Sequence, residues 1–417
     1  MPPPTRRAIL AAPVLIAARG IGFDDWDALA RATLAPIRGA AVAAAAGDRA
    51  PALLRSWAVQ DTAADFDRVN QEAAYTYDNA LAGLALLAAG ERTLAARIGE
   101  ALRIAQAQDR YWCDGRLRNA YAAVGVAPRQ HDAAPATTRP PGWWDARARR
   151  WLEDGYHAGS AAGPVAFAML LWLALGDPDS RAAAERAADW VEAALHDPDG
   201  GYRGGFLGHE PTPMPLLWRS TEQNLDLAVA FARLGREAAA AHARRFVRRM
   251  WSVSERRFLS GLTPEGTAIA HSAVDANLWP LLAWPLETRF APALEWVLSR
   301  HGLPAGAARA EVTGVDFDTD RDGVWLEGTA QAVLLLRVRG EEALAERLAA
   351  TLARHRAIEG WVLASSVPWL TTGLATGLAP ADAAGADFRY PRRGHLGATA
   401  WAALAALGAN PFGPGLG

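Results

Sequence analysis

The chain has 417 residues, enough for one large domain or two to three ordinary ones. It carries 43 Lys and Arg against 45 Asp and Glu, a net charge of −2, so it lacks the concentrated basic surface that nucleic-acid binding requires. A single cysteine, Cys113, excludes an intrachain disulfide framework and a multi-thiolate metal site.

In chain order the first element is MPPPTRRAILAAPVLIAARG, residues 1–20. Arg6 and Arg7 precede a short apolar run that ends in small residues, the pattern of a twin-arginine export signal. It predicts a periplasmic or secreted protein whose remaining residues, 21–417, form a single domain. The run is shorter than the roughly 20 apolar residues of a spanning helix, and no other segment supplies them.

DDWDALARATLAPIRGAAVAAAA (24–46) predicts an amphipathic helix. After it, helical segments come in pairs separated by tight breaks: 73–90 with 91–108, 163–177 with 178–195, 221–235 with 236–251, 274–284 with 285–302, and 326–340 with 341–356. HLGATAWAALAALG (395–408) has no partner after it. The first member of each pair is nearly all apolar and should be buried on all sides, whereas the second carries Arg and Glu on one face. Pairing 395–408 with 24–46 gives six inner and six outer helices. The predicted fold is all-α, an (α/α)6 toroid with short β-hairpin or extended lips. An open helical solenoid would want polar caps at its ends, not two unpaired helices.

Turns from inner to outer helices are short, such as LGDPDS (175–180). The return connections are long, and the longest, about 109–160, holds RYWCDGRLRNAY and GWWDARARRWLEDGYH, each a candidate hairpin. Long loops in compact domains are usually functional. All of them open onto the rim where the inner helices begin.

Each inner helix opens with an ionisable residue: Asp78, His157, Glu222, Asp275, Glu327 and His395. Taken singly, the acids read as helix caps or as charges suited to the helix dipole. Capping does not account for the two histidines, since cations are disfavoured at helix N-termini. Six such positions around one axis would converge on one cavity. Carboxylates lined by aromatic rings suit glycosidic cleavage, which needs one protonated carboxyl to donate to the leaving oxygen and a second to activate water or attack. Crowding and burial split their pKa values. Position points to Glu222 and Glu327 first as catalytic residues and to Asp78 next. Asp275, His157, His395, Tyr77, Trp144, Trp218, Trp325 and Arg219 are the expected substrate-binding set. For the tryptophans, packing a loop down is the competing reading.

The helix pairs and the motifs YTYDNAL (75–81), RSTEQNLD (219–226), DRDGVWLEGTAQ (320–331) and HLGATAWAALAALGANPF (395–412) resemble bacterial six-hairpin glycosidase-type proteins. That broad group of (α/α)6 toroids includes glycoside hydrolases such as family 8 endoglucanases, unsaturated glucuronyl hydrolases and sugar epimerases. The resemblance covers most of the chain after residue 20 and implies a carbohydrate substrate. It assigns no catalytic pair.

Asp318, Asp320, Asp322 and Gly323 match the first half of a calcium loop, but its twelfth position is Thr329 where an acid is usual. Calcium and an Asp-rich turn are both open readings, and no other cofactor is called for. The leading expectation is an exported glycoside hydrolase. The alternatives are an epimerase using His157 and His395, a polysaccharide lyase holding a uronate through Arg219, and a non-catalytic glycan-binding protein of an exopolysaccharide system.

Overall fold

The computed structural model describes residues 26–44, 50–123, 138–375 and 387–413. The predicted export segment lies outside them. The described helices are α1 (Trp26–Ala43), α2 (Asp65–Asn70), α3 (Thr76–Ala88), α4 (Arg92–Ala107), α5 (Gly155–Ala158), α6 (Ala162–Leu175) and α7 (Pro178–Ala194). They continue with α8 (Thr221–Leu234), α9 (Glu237–Arg249), α10 (Val274–Ala283), α11 (Pro292–Arg300), α12 (Leu326–Val338), α13 (Glu342–Arg354) and α14 (Leu396–Leu407). None of these is long and apolar enough to cross a membrane.

Composition explains the alternation of burial. AGPVAFAMLLWLAL in α6 is buried almost throughout, whereas EAAAAHARRFVRR in α9 buries only Ala239, Ala240, Ala243, Phe246 and Val247, one helical stripe. The break between α6 and α7 is set locally. Gly176 ends α6 at φ 71°, Asp177 accepts from the Ser180 N–H as N-cap, and Pro178 occupies the first helical position. The predicted helix over 285–302 is shorter in the structure. A 3-10 turn at Thr288–Phe290 precedes α11, which starts at Pro292.

The apolar helices pack in series: α3 on α6, α6 on α8, α8 on α10, α10 on α12, and α12 on α14, which in turn packs on α3. A Cβ at Gly83 would lie 2.7 Å from Leu171, so glycine is what lets α3 approach α6. Outside this series α4, α7, α9, α11 and α13 each cover the helix before them, and α1 covers α14. This order of contacts fits an (α/α)6 fold.

Short strands precede the inner helices. Ser160–Ala161 pairs with Gly205–Leu207, Arg219–Ser220 with Gly261–Leu262, and Trp369–Ala375 with Asp387–Pro391. GWWD (142–145) pairs with RWLE (150–153) as a lip hairpin. The other expected hairpin, RYWCDGRLRNAY, does not form. Its end, Ala120–Ala122, pairs with Ala73–Tyr75, because buried Arg118 ties it to Asp109 (2.5 Å) and to Glu210 (3.0 Å) instead.

A repeated clamp fixes the helix starts. Asn79 exchanges hydrogen bonds with both the N–H (2.7 Å) and the C=O (3.0 Å) of Leu54. Asn224 does the same to Tyr202 (2.7 and 3.0 Å). Asn277 holds the Phe258 N–H, and Thr329 and Thr399 hold those of Val315 and Val362. Each clamp lies four residues past its helix N-cap, so successive helices present their first turns to the same end.

Candidate active site

Glu327, in the first turn of α12, accepts a hydrogen bond from the Tyr77 hydroxyl at 2.7 Å, and the Trp401 indole N–H donates to that hydroxyl at 2.8 Å. His395 sits beside it. Its Nδ1 lies 3.6 Å from Glu327 Oε2, and its Nε2 lies 3.2 Å from Asp78 Oδ2. Gly397 is the hub of this group. A Cβ there would lie 2.7 Å from Asp78 Oδ1, 2.9 Å from His395 Cε1 and 3.1 Å from Glu327 Oε2. Capping, set aside for His395 on the sequence, proves to be one of its roles. His395 is the N-cap of α14, and Nδ1 accepts the Ala398 N–H at 3.3 Å. An unprotonated imidazole nitrogen is an acceptor like any capping oxygen.

Glu222 and Asp275 form a second group, hydrogen-bonded to each other, with Asp226 one turn further along α8. Burial, and next the charge of Asp275, push the Glu222 carboxyl well above its usual range. Burial also raises Asp275, but the bond from Glu222 and the Ala276 N–H (2.7 Å) pull back on it. Both members of the pair are thus raised, Glu222 well above its usual range. Glu222 keeps some surface open to solvent. Asp226 is raised by burial and then by Asp275.

Burial raises Glu327 to about 7; Asp78 adds to this, while His395 and the Tyr77 hydroxyl work against it. Burial opposes charge on His395, yet Asp78 and Glu327 raise its pKa above the ordinary imidazole value. Glu327 and Glu222 act on one another electrostatically, and Tyr390 lies in the field of Glu327, Asp275, Tyr156 and Asp78. The two groups of carboxyls thus lie within electrostatic reach of one another. Tyr390, on the strand Asp387–Pro391, was missed in the sequence because nothing in FRYPRR marks it as facing a site.

The other expected residues divide. His157, in α5, is buried with its Nε2 3.0 Å from the Tyr75 hydroxyl, which itself donates to Asn70. Burial holds its pKa below the ordinary value, so it is neutral and serves Tyr75. Arg219 does not face the cavity. Its guanidinium binds Asp197 (3.0 Å) and lies over the Phe246 ring. Trp325 is 1% exposed, wedged against Phe317, Tyr390 and Gly328 as a core residue. Trp218 lies half-buried over Gly204, where a Cβ would meet its ring at 2.6 Å. Trp144 is 59% exposed on the lip hairpin, opposite Trp151.

The calcium-loop reading also shifts, by two residues toward the N-terminus. The carboxylates that come within 4.8 Å of one another are Asp316, Asp318 and Asp320. These three could hold a cation. Asp322 does not join them. Arg321 takes a φ of 60°, and Asp322 instead accepts from the Thr371 N–H (3.0 Å) and hydroxyl (2.9 Å). Burial raises Asp316 to about 8, whereas His271 and the Asp320 N–H hold Asp318 below its usual value against burial.

No known family model matches the chain, and no curated protein matches it in sequence. Solved structures do match in fold. A glycosidase, solved as a single-residue variant in complex with glucose, superposes with a TM-score of 0.57 at 13% identity, over 92% of this chain and 98% of that one. The cellobiose 2-epimerase from Spirochaeta thermophila gives 0.56 at 14% identity, over 92% and 96%. A GH63 mannosylglycerate hydrolase from Thermus thermophilus in complex with glucose gives 0.50 at 16% identity, over 89% and 99%. The fold is therefore one shared by glycosidases and a sugar epimerase.

Proposed function

We propose that the chain is a closed (α/α)6 barrel, exported by its N-terminal segment, that hydrolyses a glycosidic bond in the cavity at the helix N-termini. The observation that carries this reading is a buried carboxyl, Glu327, hydrogen-bonded to the Tyr77 hydroxyl, with the carboxyl pair Glu222 and Asp275 within its electrostatic reach. Glu327, raised to about 7 and oriented by Tyr77, is the general acid that protonates the leaving oxygen. Asp275, hydrogen-bonded to Glu222, is the base that draws a proton from the attacking water. Two fold neighbours in complex with glucose support a hexose as the sugar. If the acidic turn at Asp316, Asp318 and Asp320 takes calcium, the ion braces the loop that leads into Glu327.

An epimerase of this fold needs a neutral histidine as base. His395 is held toward its charged form by Asp78, and His157 is spent on Tyr75, so hydrolysis is the better match. A lyase acting on a uronate would need a free guanidinium where Arg219 is already paired. The test is release of reducing ends from a panel of oligosaccharides. Glu327→Gln and Asp275→Asn should each lower the rate at least about 1,000-fold with the melting temperature retained. Mass-neutral conversion of a sugar, lost in His395→Asn but kept in Glu327→Gln, would overturn hydrolysis in favour of epimerisation.

A further inference from the structure

We infer that Trp57 is a positioning residue for His395, holding the imidazole between Asp78 and Glu327 and favouring its cationic form. The two rings stack nearly parallel, with centroids 4.1 Å apart and planes 20° from one another. Their backbones meet in an antiparallel bridge, flanked by hydrogen bonds from the Ala58 N–H to the Gly394 C=O (2.9 Å) and from the Leu396 N–H to the Ser56 C=O (2.8 Å). The indole is therefore fixed to the same short stretch of backbone that carries the imidazole. Phe66, in α2, backs it edge-on at 5.1 Å.

The indole contributes its face more than its N–H. Trp57 is 6% exposed, and its buried Nε1 lies toward the Tyr75 hydroxyl without forming a well-aligned hydrogen bond, so the N–H is not what anchors the ring. An aromatic face within about 6 Å of a cation attracts it, most strongly when both are desolvated. His395 meets Asp78 from α3, Glu327 from α12, the Ala398 N–H from its own helix, and Tyr390 at 6.2 Å on the tilted side. Asp78 and Glu327 draw the ring toward its cation. The Ala398 N–H, which Nδ1 accepts only when unprotonated, opposes it, and the indole face adds to the side of the acids. The stack also sets the plane of the imidazole, so Nε2 is directed at Asp78 while Nδ1 is directed at Glu327. This goes beyond hydrolysis as such, and its test reads the imidazole itself.

The full-length chain, labelled with 13C at histidine Cε1, is titrated by NMR, with His395 identified by the resonance lost in His395→Asn. Trp57→Leu keeps apolar cover and removes the aromatic face, and should lower the His395 midpoint by about 1 pH unit. Trp57→Phe keeps a weaker face and should lower it by less than half as much. Far-UV circular dichroism checks that each variant folds, and Trp57→Met replaces the leucine variant if that one does not. A midpoint in the aliphatic variant that equals or exceeds the native value overturns the inference, as does an equal shift in the aliphatic and Phe variants. Either result holds whether or not the cavity hydrolyses glycosides.

Discussion

Glu327 and Tyr77 are 250 residues apart in sequence, and their 2.7 Å contact is one of the influences that tune the proposed acid, after burial, His395 and Asp78. The phenol donates to the carboxylate, so it stabilises the charged form and lowers the Glu327 pKa from where burial alone would leave it. Tyr77→Phe removes that donor while keeping the ring edge-on to Phe167 at 4.7 Å. The Glu327 pKa should then rise by about 1 unit, from the usual worth of a hydrogen bond to a charged group. A general acid must be protonated to act, so the alkaline limb of the kcat/KM profile should move to higher pH by the same amount. A pH–rate profile of the purified variant checks this, and an alkaline limb that moves to lower pH contradicts the assignment of Glu327 as the acid.

At the scale of elements, the inner helices depend on the clamp four residues beyond each N-cap. Asn224→Ala should leave the Tyr202 N–H and C=O and the Ser220 C=O without their side-chain partner. The expected loss is about 3 kcal/mol of stability, seen as a lower urea midpoint with an unchanged m-value. A shift below about 0.5 kcal/mol would mean that the clamp is dispensable. The helices themselves were legible in the sequence because burial on all sides writes an apolar run that no other element of this chain shares. The polar residue opening each run was legible for the same reason. The clamping asparagines were not, since Asn in a first turn looks like any capping residue, and its partner lies in a loop whose path depends on the whole fold. Trp325 and Arg219 were misplaced for a related reason. Each stands at the junction of a strand or loop with a helix, where one residue of register decides between cavity and core. Asp78 and His395 were each marked as rim residues, but their contact follows from α14 packing on α3, which periodicity alone does not reveal.

At the scale of the whole molecule, burying five acids with raised pKa values has a consequence for stability. A carboxyl whose folded pKa lies above its unfolded value holds a proton that the unfolded chain has released. Such groups lower stability as pH rises from the unfolded pKa through the folded one. Glu327 reaches about 7, Asp316 about 8, and Glu222, Asp226 and Asp275 are also raised. His395, raised by its two acids, has the same sign above the ordinary imidazole value. His301 opposes them at lower pH. Burial drops it to about 4, so it gains stability as pH rises from about 4 to 6.5 and contributes nothing further above that. Between pH 6.5 and 8 the acids are therefore unopposed by His301, and stability should fall across that window by about 1.4 kcal/mol per unit for each extra proton held by the folded state, lowering the melting temperature with it. Asp226→Asn separates this effect from the rest. It replaces a buried carboxyl with a raised pKa, whose Oδ1 has no hydrogen-bond partner, by a neutral amide of the same shape. It should leave stability near pH 5 little changed, raise the melting temperature at pH 8, and make the decline between the two shallower. Calorimetric melts of the native chain and Asp226→Asn at pH 5, 6.5 and 8 measure this directly. Parallel curves for the two proteins would show that Asp226 is ionised in the folded state, and that the cavity holds one more negative charge than the arrangement of its acids implies.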